Sequence, residues 1–155
     1  MKVSTRGEYG LRAMVAMART YGEGPSALGT IAHDSAVPQS YLEQLLGMLR
    51  RAGLVASTRG AHGGYELARE PAAIRVGDVY RVLEGPIAPW DCVSEVEPDE
   101  QCPLIDGCAT RSVWLKVRDN IIDVLDSTTL ADLISPPQEQ PAQASQADSS
   151  SHAQA

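Results

Sequence analysis

One stretch limits the fold more than any other. Pro38–Gly53 reads as an amphipathic helix that runs directly into two strand signals around a glycine-rich tip, Leu54–Ala68. In the helix, Tyr41, Leu42, Leu45, Leu46 and Leu49 recur at the spacing of one buried face. Pro38 suits its first turn and Gly53 its C-terminal cap. Upstream, Ser26 is expected to cap a short helix that buries Leu28, Ile31 and Ala32, and Ala36-Val37-Pro38 makes the turn between the two. Two helices joined by a tight turn form a helix-turn-helix. The hairpin that follows, with strands at Leu54–Thr58 and Tyr65–Ala68, is then a wing.

This arrangement places two groups of polar residues. Gln39, Ser40, Glu43 and Gln44 lie on the solvent face of the third helix, where short polar side chains can read base edges in a major groove. On sequence alone, that face is equally that of an ordinary amphipathic helix. The tip Arg59-Gly60-Ala61-His62-Gly63-Gly64 puts a cation among glycines that let backbone approach a phosphate or a narrow minor groove. His62 either joins that contact or is an idle loop residue. The tip lacks the order of a nucleotide-binding P-loop and opens no helix, which argues against an ATPase.

Flanking elements complete the domain. Thr5 and Glu8 fit a capping box at the start of a first helix that runs to about Thr20, with Leu11, Met14, Val15 and Ala18 as its inward stripe. Ile74–Leu83 gives a further short helix. After residue 110 a long amphipathic helix follows. Val113, Val117, Ile121 and Val124 line its stripe, which Trp114, Ile122 and Leu125 widen. So broad a face must be covered, by the first helix of its own chain or by a second copy. Dimerisation is expected, because winged-helix readers of two-fold sites usually dimerise. Residues 136–155 contain no Leu, Ile, Val, Met or aromatic residue, so a disordered tail is expected, with His152 idle in it.

The net charge of −7 looks unsuited to DNA, but it is unevenly spread. Residues 1–80 carry nine Lys+Arg against seven Asp+Glu, and residues 81–155 carry four against thirteen. The first part can therefore present a basic surface while the second repels polyanions. The first 24 residues hold no long apolar segment, and no later run reaches the roughly 18 residues of a membrane span. A cytoplasmic protein with no membrane partner is expected.

All three cysteines, Cys92, Cys102 and Cys108, fall in the loop Asp91–Arg111, where Pro98, Pro103 and Gly107 disfavour long regular elements. An odd thiol count argues against a closed disulfide framework. Three soft ligands on one loop suit iron–sulfur iron or zinc, with a fourth ligand elsewhere. The bland alternative is three unrelated thiols, with or without a redox disulfide. Zinc sites usually show a closer cysteine pair, absent here. A thiol redox enzyme would need Cys-x-x-Cys or a thiolate beside a base, also absent. The chain is not expected to be an enzyme.

The order of elements resembles the IscR/NsrR family of bacterial winged-helix transcription regulators over about residues 1–134. Ile31-Ala32, Tyr41–Leu46, Leu49–Val55 and above all Thr58–Ala68 carry the resemblance. It implies a homodimer with one iron–sulfur cluster per subunit, 2Fe-2S or 4Fe-4S, held by Cys92, Cys102 and Cys108. It also implies that the cluster controls DNA binding in response to redox state, nitric oxide or iron–sulfur supply. Ser40, Glu43 and Gln44 match the family's base-reading positions and Arg59 its minor-groove position. Where some members have a histidine ligand three residues after the last cysteine, this chain has Arg111, which cannot ligate. In other members a carboxylate from the partner's first helix takes that role, and Glu8 stands at its place; Asp91, Asp106 and solvent are the other candidates.

The expectation is thus a mainly α fold with a small β-wing, a winged helix-turn-helix DNA-binding domain plus a long dimerisation helix. Residues 1–84 form the DNA-binding domain, 85–110 the cluster loop, 111–134 the dimerisation helix and its end, and 135–155 the tail. The expected function is that of an operator-binding repressor sensing through the cluster. The alternative is a winged-helix regulator with structural zinc or a metal-free thiol switch.

Overall fold

The computed structural model describes residues 4–96, 98 and 102–135. The expected tail lies outside the described residues.

Helix α1 spans Thr5–Arg19. Its N-cap is Ser4, one residue earlier than the sequence suggests: the Ser4 hydroxyl accepts from the Arg6 and Gly7 N–H groups and donates to the Glu84 carboxylate. No Thr5–Glu8 capping box forms, since Thr5 already lies inside the helix, and the Glu8 side chain is exposed. The inward stripe is also rotated. Ala13, Met14, Met17 and Ala18 are buried together with Gly7 and Gly10, whereas Leu11 and Val15 are only half-buried. The glycines win the inner positions because α1 crosses α4 (Val76–Glu84) so closely that a Cβ at either one would strike Leu83 or Glu84.

Helix α2 is Leu28–Ser35 and α3 is Gln39–Arg51. Ser26 does not cap α2, whose N-cap is Ala27 with no side-chain bond. Ser26 instead pairs with Tyr65, exchanging backbone bonds of 2.9 and 2.8 Å, so it extends the wing sheet by one residue. Gly64 makes room for this, as a Cβ there would strike the Ser26 carbonyl. Four leucines of α3, Leu42, Leu45, Leu46 and Leu49, are buried, each stabilising by about 1.5–3 kcal/mol. Gly53 ends α3 at φ 73°; its N–H reaches Arg50 O and that of Leu54 reaches Leu49 O, the two bonds of a Schellman motif.

Strands β1 (Val55–Thr58) and β2 (Gly64–Leu67) form the antiparallel wing, with Val55 opposite Leu67 and Thr58 opposite Gly64. Helix α5 covers Arg111–Ser127 and α6 covers Leu130–Ile134. The latter is no frayed end. Leu130 is fully buried, Thr129 pairs with Arg75, and α6 packs on α1. The core therefore lies among α1, α2, α3, α4 and α6, with α5 outside it and without one buried residue. No helix among the described residues is long and apolar enough to cross a membrane.

Candidate functional site

Two sites emerge, one on α3 and the wing, the other where the segment around Cys92 meets α5.

On the first, burial of the four leucines turns Gln39, Ser40, Glu43 and Gln44 outward, and all four are exposed. Pro38 provides no side-chain cap to α3, so the positive end of that helix remains open to an anion beside Gln39 and Ser40. At the other end Arg50 donates to Ser57 Oγ at 3.0 Å, which ties α3 to β1. Arg59 and His62 are exposed on the tip. The tip turns through Gly60, at φ 113°, and closes with the Gly63 N–H on Gly60 O at 3.0 Å. A side chain at Gly63 would strike the Thr58 carbonyl, so this turn needs glycine there. The structure therefore presents all six polar residues to solvent, four along one helix and two on the hairpin beyond it.

The second site is built on a short 3-10 turn, Asp91–Val93. Val93 and Ile87 are fully buried and anchor the segment, while Cys92 between them is half-exposed. Cys102 and Cys108 are half-exposed too, and all three thiols are unpaired. Cys108 Sγ lies 3.3 Å from Thr110 Oγ1. Hydrogen bonds from the Thr110 hydroxyl, then from the Thr110 and Arg111 backbone N–H groups, hold this thiol below its usual range, and the Arg111 charge adds to the effect. Arg111 Nε is buried without a partner. An orphan donor at the start of α5, with a thiol of lowered pKa just before that helix, fits a thiolate-ligated anionic group. In one respect the fit is incomplete: among the described residues, no three His, Cys, Asp or Glu side chains gather closely enough to hold a metal ion.

Glu8 lies on α1, beside the face of α5 rather than at its start. It borders an apolar cleft of about 180 Å³ with Leu11, Val79, Tyr80, Ile121 and Leu125. Ile121 lies ten residues along α5 from Arg111, about 15 Å at the helical rise. The cleft continues into a shallow apolar groove along α5 formed by Val117, Asn120, Ile121, Val124 and Leu125. Val113, Trp114 and Val124 are exposed large hydrophobic residues on the same helix.

The sequence reading missed what fastens the cysteine segment. Trp90 stacks on Trp114, with ring centres 5.9 Å apart. Arg118 Nη1 donates to the Val93 carbonyl at 3.4 Å. Arg81 of α4 donates to Glu95 through Nε and Nη2, both at 2.9 Å, and to Asp126 of α5 at 2.6 and 3.1 Å. No local periodicity could reveal these partners, which are 14 to 45 residues apart in the chain.

A helix-turn-helix with a wing, joined to a helix that the domain core does not need, defines a winged-helix DNA-binding regulator. Comparison with known proteins agrees. A family model described as "Rrf2: Iron-dependent Transcriptional regulator" matches residues 3–136, and the chain belongs to that family. It is 50% identical over 135 residues to the HTH-type transcriptional regulator CymR of Bacillus subtilis, covering 87% of this chain and 91% of the relative. The solved structure of that protein, described as the global cysteine regulator of B. subtilis, superposes with a TM-score of 0.71 over 86% of this chain and 95% of that one. T. potens IscR superposes at 0.69 with 49% identity, covering 86% and 85%. The oxidized form of Staphylococcus aureus CymR superposes at 0.70 with 40% identity, covering 89% and 99%. Its relatives are transcriptional regulators, not enzymes.

Proposed function

We propose that this chain is a homodimeric, operator-binding repressor whose affinity for DNA is set at Cys92, Cys102 and Cys108 through an iron–sulfur cluster, 2Fe-2S or 4Fe-4S. The observation that carries the reading is the cysteine segment itself: three unpaired, half-exposed thiols, with the orphan Nε of Arg111 at the start of the helix that follows. Such a cluster supplies one-electron redox chemistry and an iron position open to exchange or to nitric oxide. The three thiolates would hold it.

Within its own chain Glu8 borders the apolar cleft beside α5. With α5 helices packed face to face, Glu8 of the partner subunit is the natural fourth ligand, a harder and weaker one than thiolate. On the DNA side Ser40, Glu43 and Gln44 read base edges, Gln39 and His62 contact phosphate, and Arg59 enters the minor groove. The two recognition helices of a dimer would enter successive turns of a two-fold site.

The ungathered thiols favour a second reading, a metal-free thiol switch. There two cysteines form a disulfide, giving up two protons and two electrons to a peroxide. The relative solved in an oxidized form makes this reading concrete.

One experiment separates them. Protein purified without oxygen is analysed for visible absorption, iron and acid-labile sulfide, and its affinity is measured for the duplex it selects from a random library. Charge-transfer bands with stoichiometric sulfide support the cluster. Colourless protein whose affinity responds reversibly to peroxide supports the switch. Affinity unchanged by both peroxide and cysteine alkylation overturns control by the thiols altogether.

A further inference from the structure

The cysteine segment and the reading domain touch through few polar groups, and one of them joins three elements at once. Arg81 projects from α4, which packs against both α1 and α3 of the DNA-binding core. Its guanidinium makes a two-bond fork to Glu95, three residues after Cys92, and another to Asp126, near the C-terminal end of α5. Glu95 has a third bond, accepting the Ile87 N–H at 2.7 Å, so the carboxylate also closes the turn that carries Cys92. All three side chains are largely removed from water, at 30% exposure for Arg81, 13% for Glu95 and 29% for Asp126.

A second observation shows that the chain makes room for this joint. A Cβ on Gly77 would overlap Asp126 Oδ1 and crowd Arg81 Nη1. Gly77 is a buried helical residue in the first turn of α4, a place where glycine weakens a helix relative to alanine. What the missing side chain permits is the approach of α5 that lets Asp126 reach Arg81.

We infer that Arg81 is the positioning residue that couples the state of the cysteines to the reading helix. It is a three-way joint in which Glu95 reports the cysteine segment, Asp126 reports α5, and α4 transmits both to α3. The inference rests on control of DNA affinity by the thiols, as proposed above. Arg81 fits the role because its planar fork holds two carboxylates at once in fixed geometry. Movement at Cys92 that carries Glu95 either drags Arg81 with it or breaks the fork to Glu95, leaving Arg81 held by Asp126 alone. In each case the joint passes between two discrete arrangements, which is what switching requires. The Trp90–Trp114 stack and the Arg118 bond hold the same segment to α5 but do not reach α4. They position the segment without informing the reading domain.

The test compares coupling, not affinity alone. Wild type first selects a duplex from a random-sequence library. Affinity for that duplex is then measured with reduced, unmodified protein and with protein alkylated by iodoacetamide. Under thiol control the two affinities differ by a factor in the usual allosteric range of about 5–150. Two variants are taken through the same pair of measurements. Glu95→Gln weakens the fork but keeps an acceptor for the Ile87 N–H. Gly77→Ala forces Asp126 off Arg81 without changing any charge. Both are checked for folding by circular dichroism and for the accessibility of all three thiols by mass after alkylation. The expected result is that both remain folded and fully alkylated while the affinity ratio falls to within about twofold of unity. A merely structural role would lower both affinities together and leave the ratio intact. A wild-type ratio in both variants overturns the joint while leaving thiol control standing. A ratio of one in wild type removes thiol control itself. Should Gly77→Ala fail to fold, Asp126→Asn takes its place and is read the same way.

Discussion

Gly10 of α1 lies directly beneath Leu83 of α4, so close that a Cβ on the glycine would occupy the space of Leu83 Cδ1. The contact holds the first helix to the element that bears Arg81. Gly10→Ala should therefore destabilise the fold by about 1–3 kcal/mol through overpacking, despite alanine's better helix propensity. Urea unfolding with an unchanged slope would measure it. A variant as stable as wild type would mean that Leu83 has another rotamer to move into.

The cap of α1 gives a sharper contrast. Because Ser4 accepts from two N–H groups and Thr5 lies inside the helix, Ser4→Ala should cost about 0.5–2 kcal/mol and Thr5→Ala much less. Equal losses in thermal melts of the two variants would return the cap to Thr5.

The Arg81 joint makes acid sensitivity predictable. Hydrogen bonds from Arg81 hold the Glu95 and Asp126 carboxyls below the usual carboxylate range, and they hold the Arg81 guanidinium above its own. A carboxyl whose folded pKa is depressed adds stability above its unfolded value, about pH 4, and loses it as pH falls through the folded value. Stability should thus be level from neutral pH to about 5 and decline below. Arg81→Gln should be less stable at pH 7 and show a shallower decline. Denaturant midpoints across pH 2.5–7 would check this; parallel curves for variant and wild type would show that other carboxylates dominate.

How much of this could be read from the chain depended on range. The leucines of α3, Gly53 and the glycine-rich tip signal locally, through periodicity and required backbone angles, and they led directly to the winged helix. Ser26 misled because a serine before an apolar run looks like a cap, whereas its backbone was wanted by Tyr65. Leu130 is buried by α1, over a hundred residues away, so no local pattern marks its place in the core. Arg81, Glu95 and Asp126 carry no local pattern at all; only the packing of α5 on α4 brings them together. The exposed candidates for DNA contact were legible because solvent-facing positions follow once the buried face is known.

The wing should contribute to DNA binding without touching the cysteines. Arg59 is exposed at the tip of a hairpin fastened to the core through Val55 and Leu67. Arg59→Ala should weaken binding of the selected duplex by about 1–3 kcal/mol. Fluorescence anisotropy would show it, with circular dichroism and thiol reactivity unchanged. Undiminished affinity at the same salt concentration would take the wing off the interface.

The last prediction concerns α5 and Glu8 together, since the same apolar face would bring a second copy into place and carry Glu8 to the partner's cysteines. Val117 and Ile121 lie in the groove of α5, half-exposed in the single chain. Val117→Asp combined with Ile121→Asp should yield monomers in sedimentation, because an unpaired charge buried between subunits costs several kcal/mol. Those monomers should retain helical content, since α5 contributes no buried residue to the core. Glu8→Gln should leave the dimer intact, and Ser4 rather than Glu8 caps α1, so the substitution does not disturb the helix start. Its predicted effect is confined to a bound cluster: an altered absorption spectrum and faster loss to a chelator, whereas Cys→Ala at 92, 102 or 108 abolishes the spectrum. Mixing a Glu8→Gln chain with a Cys108→Ala chain then decides whether the ligand comes in trans. Only one site of that heterodimer retains its three thiols, on the Glu8→Gln chain, and the glutamate facing it from the partner is intact. The heterodimer should therefore show a spectrum of wild-type shape at half intensity. A spectrum like that of the Glu8→Gln homodimer would place the ligand within the same chain, or remove Glu8 from the site.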